Sequence, residues 1–99
     1  MKRTKRARNV KRALVRDREK LFRLEPGGSP TRPLEVSSAS LVEPKVAMVR
    51  CPNCDASLHA EQHAAVVHEG ARLRQVLAVC RLCGSGRTLW FRIVPLLPN

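Results

Sequence analysis

The chain has 99 residues and three aromatics, Phe22, Trp90 and Phe91, so it has room for one domain whose core buries little apolar surface. Its formal charge is +11, which favours polyanionic partners. The longest uncharged apolar run, Val76–Cys80, is too short for a transmembrane span or for the apolar region of a secretory signal, so no membrane partner and a reducing compartment are expected: cytoplasmic, or nuclear in a eukaryote.

The charge is unevenly placed. Residues 1–24 carry eleven Lys or Arg against Asp17 and Glu19, a net +9, while residues 25–99 carry +2. Residues 5–24 favour helix: Ala7, Val10, Ala13, Leu14, Leu21 and Leu24 recur at three- to four-residue intervals, with Asp17 and Arg18 interrupting the stripe. Glu25-Pro26-Gly27-Gly28-Ser29-Pro30 stops the helix. This divides the chain into a basic arm over 1–24, either helical or partly disordered, a linker over 25–45 and a cysteine-bearing domain over 46–99. Within the linker, Leu34, Val36, Leu41 and Val42 among serines suit either an added edge strand over 34–42 or a tethered coil.

From Val46 onward the pattern predicts β-structure. Val46 and Met48 lead into the first cysteine pair, and a short strand is expected around Ser57–Ala60. Residues 63–68 and 71–79 read as a hairpin turning at Glu69-Gly70, with Leu73, Leu77 and Val79 on one face opposite Arg72 and Arg74. Arg87–Val94 alternates, with Leu89, Phe91 and Ile93 on one face.

The chemistry lies in Cys51-Pro52-Asn53-Cys54 and Cys80-Arg81-Leu82-Cys83, two C-x-x-C pairs separated by 25 residues. Each such loop can aim two thiolates at one ion, and two loops complete a tetrahedral S₄ site. Gly84 suits the sharp turn that follows the second pair. Knuckle, hairpin, knuckle and final strand over roughly 46–94 resemble the zinc-ribbon family. The resemblance implies a small antiparallel domain of three to four strands around one structural Zn²⁺ on Cys51, Cys54, Cys80 and Cys83. The longer spacer, and Asp55 where glycine often follows the first knuckle, depart from that pattern.

Other readings of the cysteines stay open. They could form disulfides, or hold iron as in rubredoxins, which are usually more aromatic and acidic. His59-Ala60-Glu61 with Cys80 and Cys83 matches part of the zinc-deaminase signature, although Val79 replaces its proline and Cys51 and Cys54 would have no role. His59, His63 and His68 otherwise read as solvent-facing. No Ser/His/Asp set or carboxylate pair suggests catalysis, and a closed S₄ site leaves no position for substrate.

Four thiolates on Zn²⁺ add about −2, which leaves the domain near neutral and the positive charge on the arm. The expected function is therefore non-catalytic nucleic-acid binding, to DNA or RNA, by Lys2, Arg3, Lys5, Arg6, Arg8, Lys11, Arg12 and Arg16. Arg72, Arg74, Arg87 and Arg92 are expected on the sheet, where Trp90 either stacks a base or covers the second face. The competing reading is a protein-docking module in which the metal is purely structural.

Overall fold

A computed structural model describes residues 5–96, with side chains from residue 12 onward. The chain runs through α1 (Lys5–Leu24), β1 (Leu34–Val36), a 3₁₀ turn (Ala39–Leu41), α2 (Val42–Met48), β2 (Leu58–His68), β3 (Ala71–Cys80) and β4 (Gly86–Ile93). No helix among the described residues is long and apolar enough to cross a membrane.

The strands form one sheet in the order β1-β4-β3-β2. The β2–β3 and β3–β4 pairs are antiparallel, but β1 lies parallel to β4, with Leu34, Glu35 and Val36 opposite Phe91, Arg92 and Ile93. The sheet is therefore mixed, which corrects the antiparallel expectation. The cause is a connection that no local pattern encodes. The whole of α2, β2 and β3 intervenes before β4 returns beside β1, and such a crossover permits parallel pairing.

Three local expectations also change. Val46 and Met48 lie in α2 rather than in a strand. Val42 and Val46, one helical turn apart, are fully buried, Met48 is exposed, and Pro44 is tolerated because it falls in the first turn. The pieces expected at 57–60 and 63–68 are one strand, with a register shift between Ala60 and Gln62 that leaves Glu61 as a bulge. On β3 the core face is Val76, Ala78 and Cys80, while Leu77 is exposed and Leu73 is buried on the opposite face. Cys80 sets that parity: its sulfur must reach the other cysteines, and every second residue then follows it inward.

The hairpin turn falls at Glu69-Gly70. Both residues have positive φ (49° and 81°), as a two-residue turn of the I′ type requires. On β4, Leu89 and Phe91 are fully buried, with Ile93 packed against them. Together with Val36, Val42, Val46, Leu58, Val76 and Ala78 they form the core, roofed on one side by α2.

Helix α1 belongs to this core through its last turns. Phe22 is buried in the cluster, and beyond it the chain folds back sharply: the Glu25 and Gly28 N–H groups donate to the carbonyls of Phe22 and Glu25. The Arg32 guanidinium donates to the Leu24 carbonyl at the helix C-terminus. A Cβ on Gly28 would lie 2.1 Å from the Phe22 carbonyl oxygen. Gly28→Ala is therefore expected to lift α1 from the sheet and lower stability by roughly 1–3 kcal/mol, measured by denaturant unfolding of the metal-loaded protein.

Candidate metal centre

The two knuckles are built alike. In the first, the Asp55 N–H donates to the Cys51 carbonyl and the Cys51 N–H to the Ala56 carbonyl, both at 2.8 Å. In the second, the Gly84 N–H donates to the Cys80 carbonyl at 2.8 Å and the Cys80 N–H to the Ser85 carbonyl at 2.9 Å. Each loop closes on itself and turns both of its sulfurs the same way. Asp55 and Gly84 occupy the same left-handed position, with φ of 63° and 79°. Aspartate at the first knuckle is thus accommodated, because short polar side chains tolerate that region better than most.

The four sulfurs lie within 4.8 Å of one another. Cys51 Sγ and Cys83 Sγ are 3.7 Å apart, and Cys54 Sγ and Cys80 Sγ are 3.3 Å apart. A tetrahedron with metal–sulfur bonds of about 2.3 Å has sulfurs about 3.8 Å apart, so the cluster fits one ion. All four cysteines are free, at separations well beyond the roughly 2.05 Å of a disulfide. Cys51 and Cys80 are buried and Cys83 is exposed, so the site sits at the end of the sheet with one side to solvent.

His59 does not join the cluster. Its Nε2 accepts from Arg81 Nη2 at 2.6 Å, and the metal-binding group consists of the four cysteines. The partial deaminase signature is therefore not assembled.

Several groups prepare the thiolates. Burial opposes ionisation of Cys51, but the Ser85 hydroxyl and the backbone at Asn53 and Cys54 outweigh it and lower its thiol below the ordinary value. Ser85, through its hydroxyl and its backbone, holds Cys83 down to about 6. The backbone at Ala56 favours the Cys54 thiolate, yet Cys80, burial and the other two sulfurs together push that thiol up to about 12. Cys51 and Cys83 thus lose their protons more readily than Cys54, which is what crowding like charges produces.

Arg87 lies on the sheet as expected, in β4, but it is turned inward and only 7% of it is exposed. Its Nη2 donates to Ser85 Oγ at 2.7 Å and points to Cys51 Sγ at 3.6 Å. Its Nη1 donates to Glu19 Oε1 at 2.7 Å, and its guanidinium lies 5.2 Å from the centre of the Phe22 ring. Asn53 Nδ2 donates to the same Glu19 oxygen at 3.1 Å. Residues from α1, the first knuckle and β4 thus meet beside the sulfurs. The signal was present, since the alternation that turns Leu89 and Phe91 inward also turns Arg87 inward. Glu19 carried no such signal, because it lies 68 residues away.

Of the arm cations, Lys2 and Arg3 lie outside the described residues. Lys5, Arg6, Arg8 and Lys11 fall in α1, with their side chains outside the described set, while Arg12 and Arg16 are exposed on it. Arg92 is paired with Glu35 of β1. Trp90 is half-buried on the second face, its ring 6.2 Å from that of His68. No protein family, curated protein or solved structure matches the chain.

Two substitutions test this geometry. Glu19→Ala leaves a buried guanidinium without its carboxylate, and with Glu19 itself about a quarter exposed the expected loss is about 2–3 kcal/mol. Glu19→Gln, which keeps an acceptor, should lose less in the same unfolding measurement. Gly84→Ala meets no atom within 4 Å, so its cost is backbone strain alone, about 1–2 kcal/mol. Because folding and metal binding are linked, it should weaken apparent metal affinity by roughly five- to thirtyfold in a chelator competition, whereas Asp55→Gly should strengthen it.

Proposed function

We propose that this chain is a zinc-ribbon-like protein without catalytic chemistry, whose basic helix α1 binds nucleic acid. The observation that carries the reading is the arrangement of α1. Arg12, Arg16, Arg18, Lys20 and Arg23 are all exposed, while Glu19 and Phe22 tie the same helix to the metal-bearing body. Arg12, Arg16 and Lys20 follow at four-residue intervals on one side, about 6 Å apart along the axis. A ridge of cations on a braced helix favours phosphate contacts, which release counterions without reading sequence.

Zinc is the metal the donor set favours. Four thiolates around a closed tetrahedral position suit Zn²⁺, which would hold Cys51, Cys54, Cys80 and Cys83 together and supply folding free energy. One Zn²⁺ per chain is expected by elemental analysis. Cys54→Ser or Cys83→Ser should unfold the sheet, since such sites contribute an apparent ~10–16 kcal/mol, more than this core can replace. Iron in place of zinc would overturn this assignment.

Nucleic-acid binding is tested by salt and by charge. The full chain should bind oligonucleotides with little sequence preference, and its log affinity should fall linearly with log salt, by about 0.9 per duplex phosphate contacted. Six contacts imply a loss of about a thousandfold between 50 and 200 mM salt. Arg12→Glu with Arg16→Glu should flatten that slope by about two contacts while leaving the fold intact, since neither residue enters the core. Removing the whole arm is a poorer test, because it also removes Glu19 and Phe22. An unchanged slope in the double variant would sink the reading.

A further inference from the structure

The end of the hairpin away from the cysteines carries a feature that metal and nucleic-acid binding leave unused. Strand β2 is the outer strand of the sheet and runs eleven residues, Leu58–His68; past Leu58, whose N–H donates to the Val49 carbonyl, no strand among the described residues pairs with its outer edge. Exposed edges are usually guarded by Lys, by Pro or by a bulge. Here the sequence 58–68 contains no Lys, Arg or Pro, and its one bulge falls at Glu61, which leaves residues 63–68 regular. Val67 on that stretch is 72% exposed.

Beside this edge lies a groove of about 480 Å³, lined in part by Ala65, Val67 and Ile93 with Arg72 and Arg74. The register accounts for it. Ala65 stands opposite Arg74 and Val67 opposite Arg72, so small apolar residues and two cations alternate across the hairpin on one face. Arg74 in turn stands opposite Phe91, two residues before Ile93, which closes the inner end of the groove. Among the described residues neither arginine has a carboxylate within ion-pair distance, whereas Arg87 and Arg92 each have one.

We propose that this groove and the free edge of β2 dock an extended acidic segment of a partner protein, which adds to the sheet as a fifth strand. The backbone of residues 63–68 supplies the ladder hydrogen bonds. Side chains alternate along the added strand, so every second one lies on the groove side of the sheet, next to Ala65 and Val67 of β2 and facing the Arg72 and Arg74 side chains one strand further in. Carboxylates on the partner meet Arg72 and Arg74. A second copy of this chain fits less well, because its own β2 offers one carboxylate, Glu61, against two arginines.

The test uses the full-length, zinc-loaded chain and an eight-residue capped peptide of alternating valine and glutamate, followed by backbone amide shifts in NMR. Shifts confined to 63–68 and 71–74 are expected. Exchanging glutamate for lysine in the peptide, or placing a proline at its centre, should weaken binding at least tenfold. The Arg72→Glu, Arg74→Glu double variant should do the same, and so should Val67→Lys, which alters an exposed position and leaves the core untouched. Spectral dispersion and zinc content report that each variant is folded. The proposal would be overturned by no shifts at millimolar peptide; by shifts only on α1, which would mean simple attraction to the basic arm; by equal binding of the lysine peptide; or by larger shifts in 63–74 from oligo(dT), which would assign these arginines to nucleic acid. Concentration-dependent dimerisation through β2 in sedimentation would give the edge to a second copy instead.

Discussion

Four sulfurs within 4.8 Å of each other are the constraint on which the rest of the molecule depends. The apolar core is small, eleven buried residues with two of the cysteines among them, and it contains one buried aromatic from the sheet and one from α1. Such a core offsets little of the conformational entropy lost on folding. The knuckles supply what is missing by tying the segment before β2 to the end of β3 and the start of β4. They also set the parity of β3 and hence which residues face inward. Four ionised thiols this close repel one another, so a cation bound among them would be linked to folding.

Arg87 extends that centre into the rest of the fold. A buried guanidinium is costly unless its donors are satisfied, and its neighbours satisfy most of them: Glu19, Ser85 and the Cys51 sulfur, with the Phe22 ring against its face. Beside four clustered thiols, the cation also offsets part of the negative charge that their ionisation brings. The same contact holds the C-terminal turns of α1 against the sheet. The helix that carries the excess charge is therefore attached to the metal centre directly and does not hang from a linker.

This attachment shapes the functional reading. A tail of eleven cations on a flexible tether would reach many geometries and order itself on binding. A helix braced at Glu19 and Phe22 presents Arg12, Arg16 and Lys20 as a fixed row, with less left to order. The hairpin end, the site of the proposed strand addition, faces away from the knuckles along the length of β2 and β3. Nucleic acid on the helix and a protein segment on the hairpin would then occupy different parts of one small scaffold, as a coupling module between two partners requires.

The sequence by itself determined the features that depend on neighbours in the chain. The two C-x-x-C pairs named the four cysteines whose sulfurs cluster at metal-binding distance, the Pro-Gly-Gly run ended α1, Glu69-Gly70 marked the hairpin turn, and the alternation through Leu89 and Phe91 marked β4 and its buried face. Each of these is a short-range rule of turn chemistry or side-chain period. Only the tertiary structure decided the rest. Val42 and Val46 became one face of a helix because the core rewards their burial, although the segment reads equally well as a strand. β1 paired parallel because its partner lies beyond the whole intervening hairpin. Arg87, one of four similar arginines in the sheet sequence, became a buried hub because Glu19 arrives from 68 residues away. Contacts between groups so far apart leave no mark in local pattern, since neither residue's neighbours reveal which distant group will face it once the chain has closed around the cysteines.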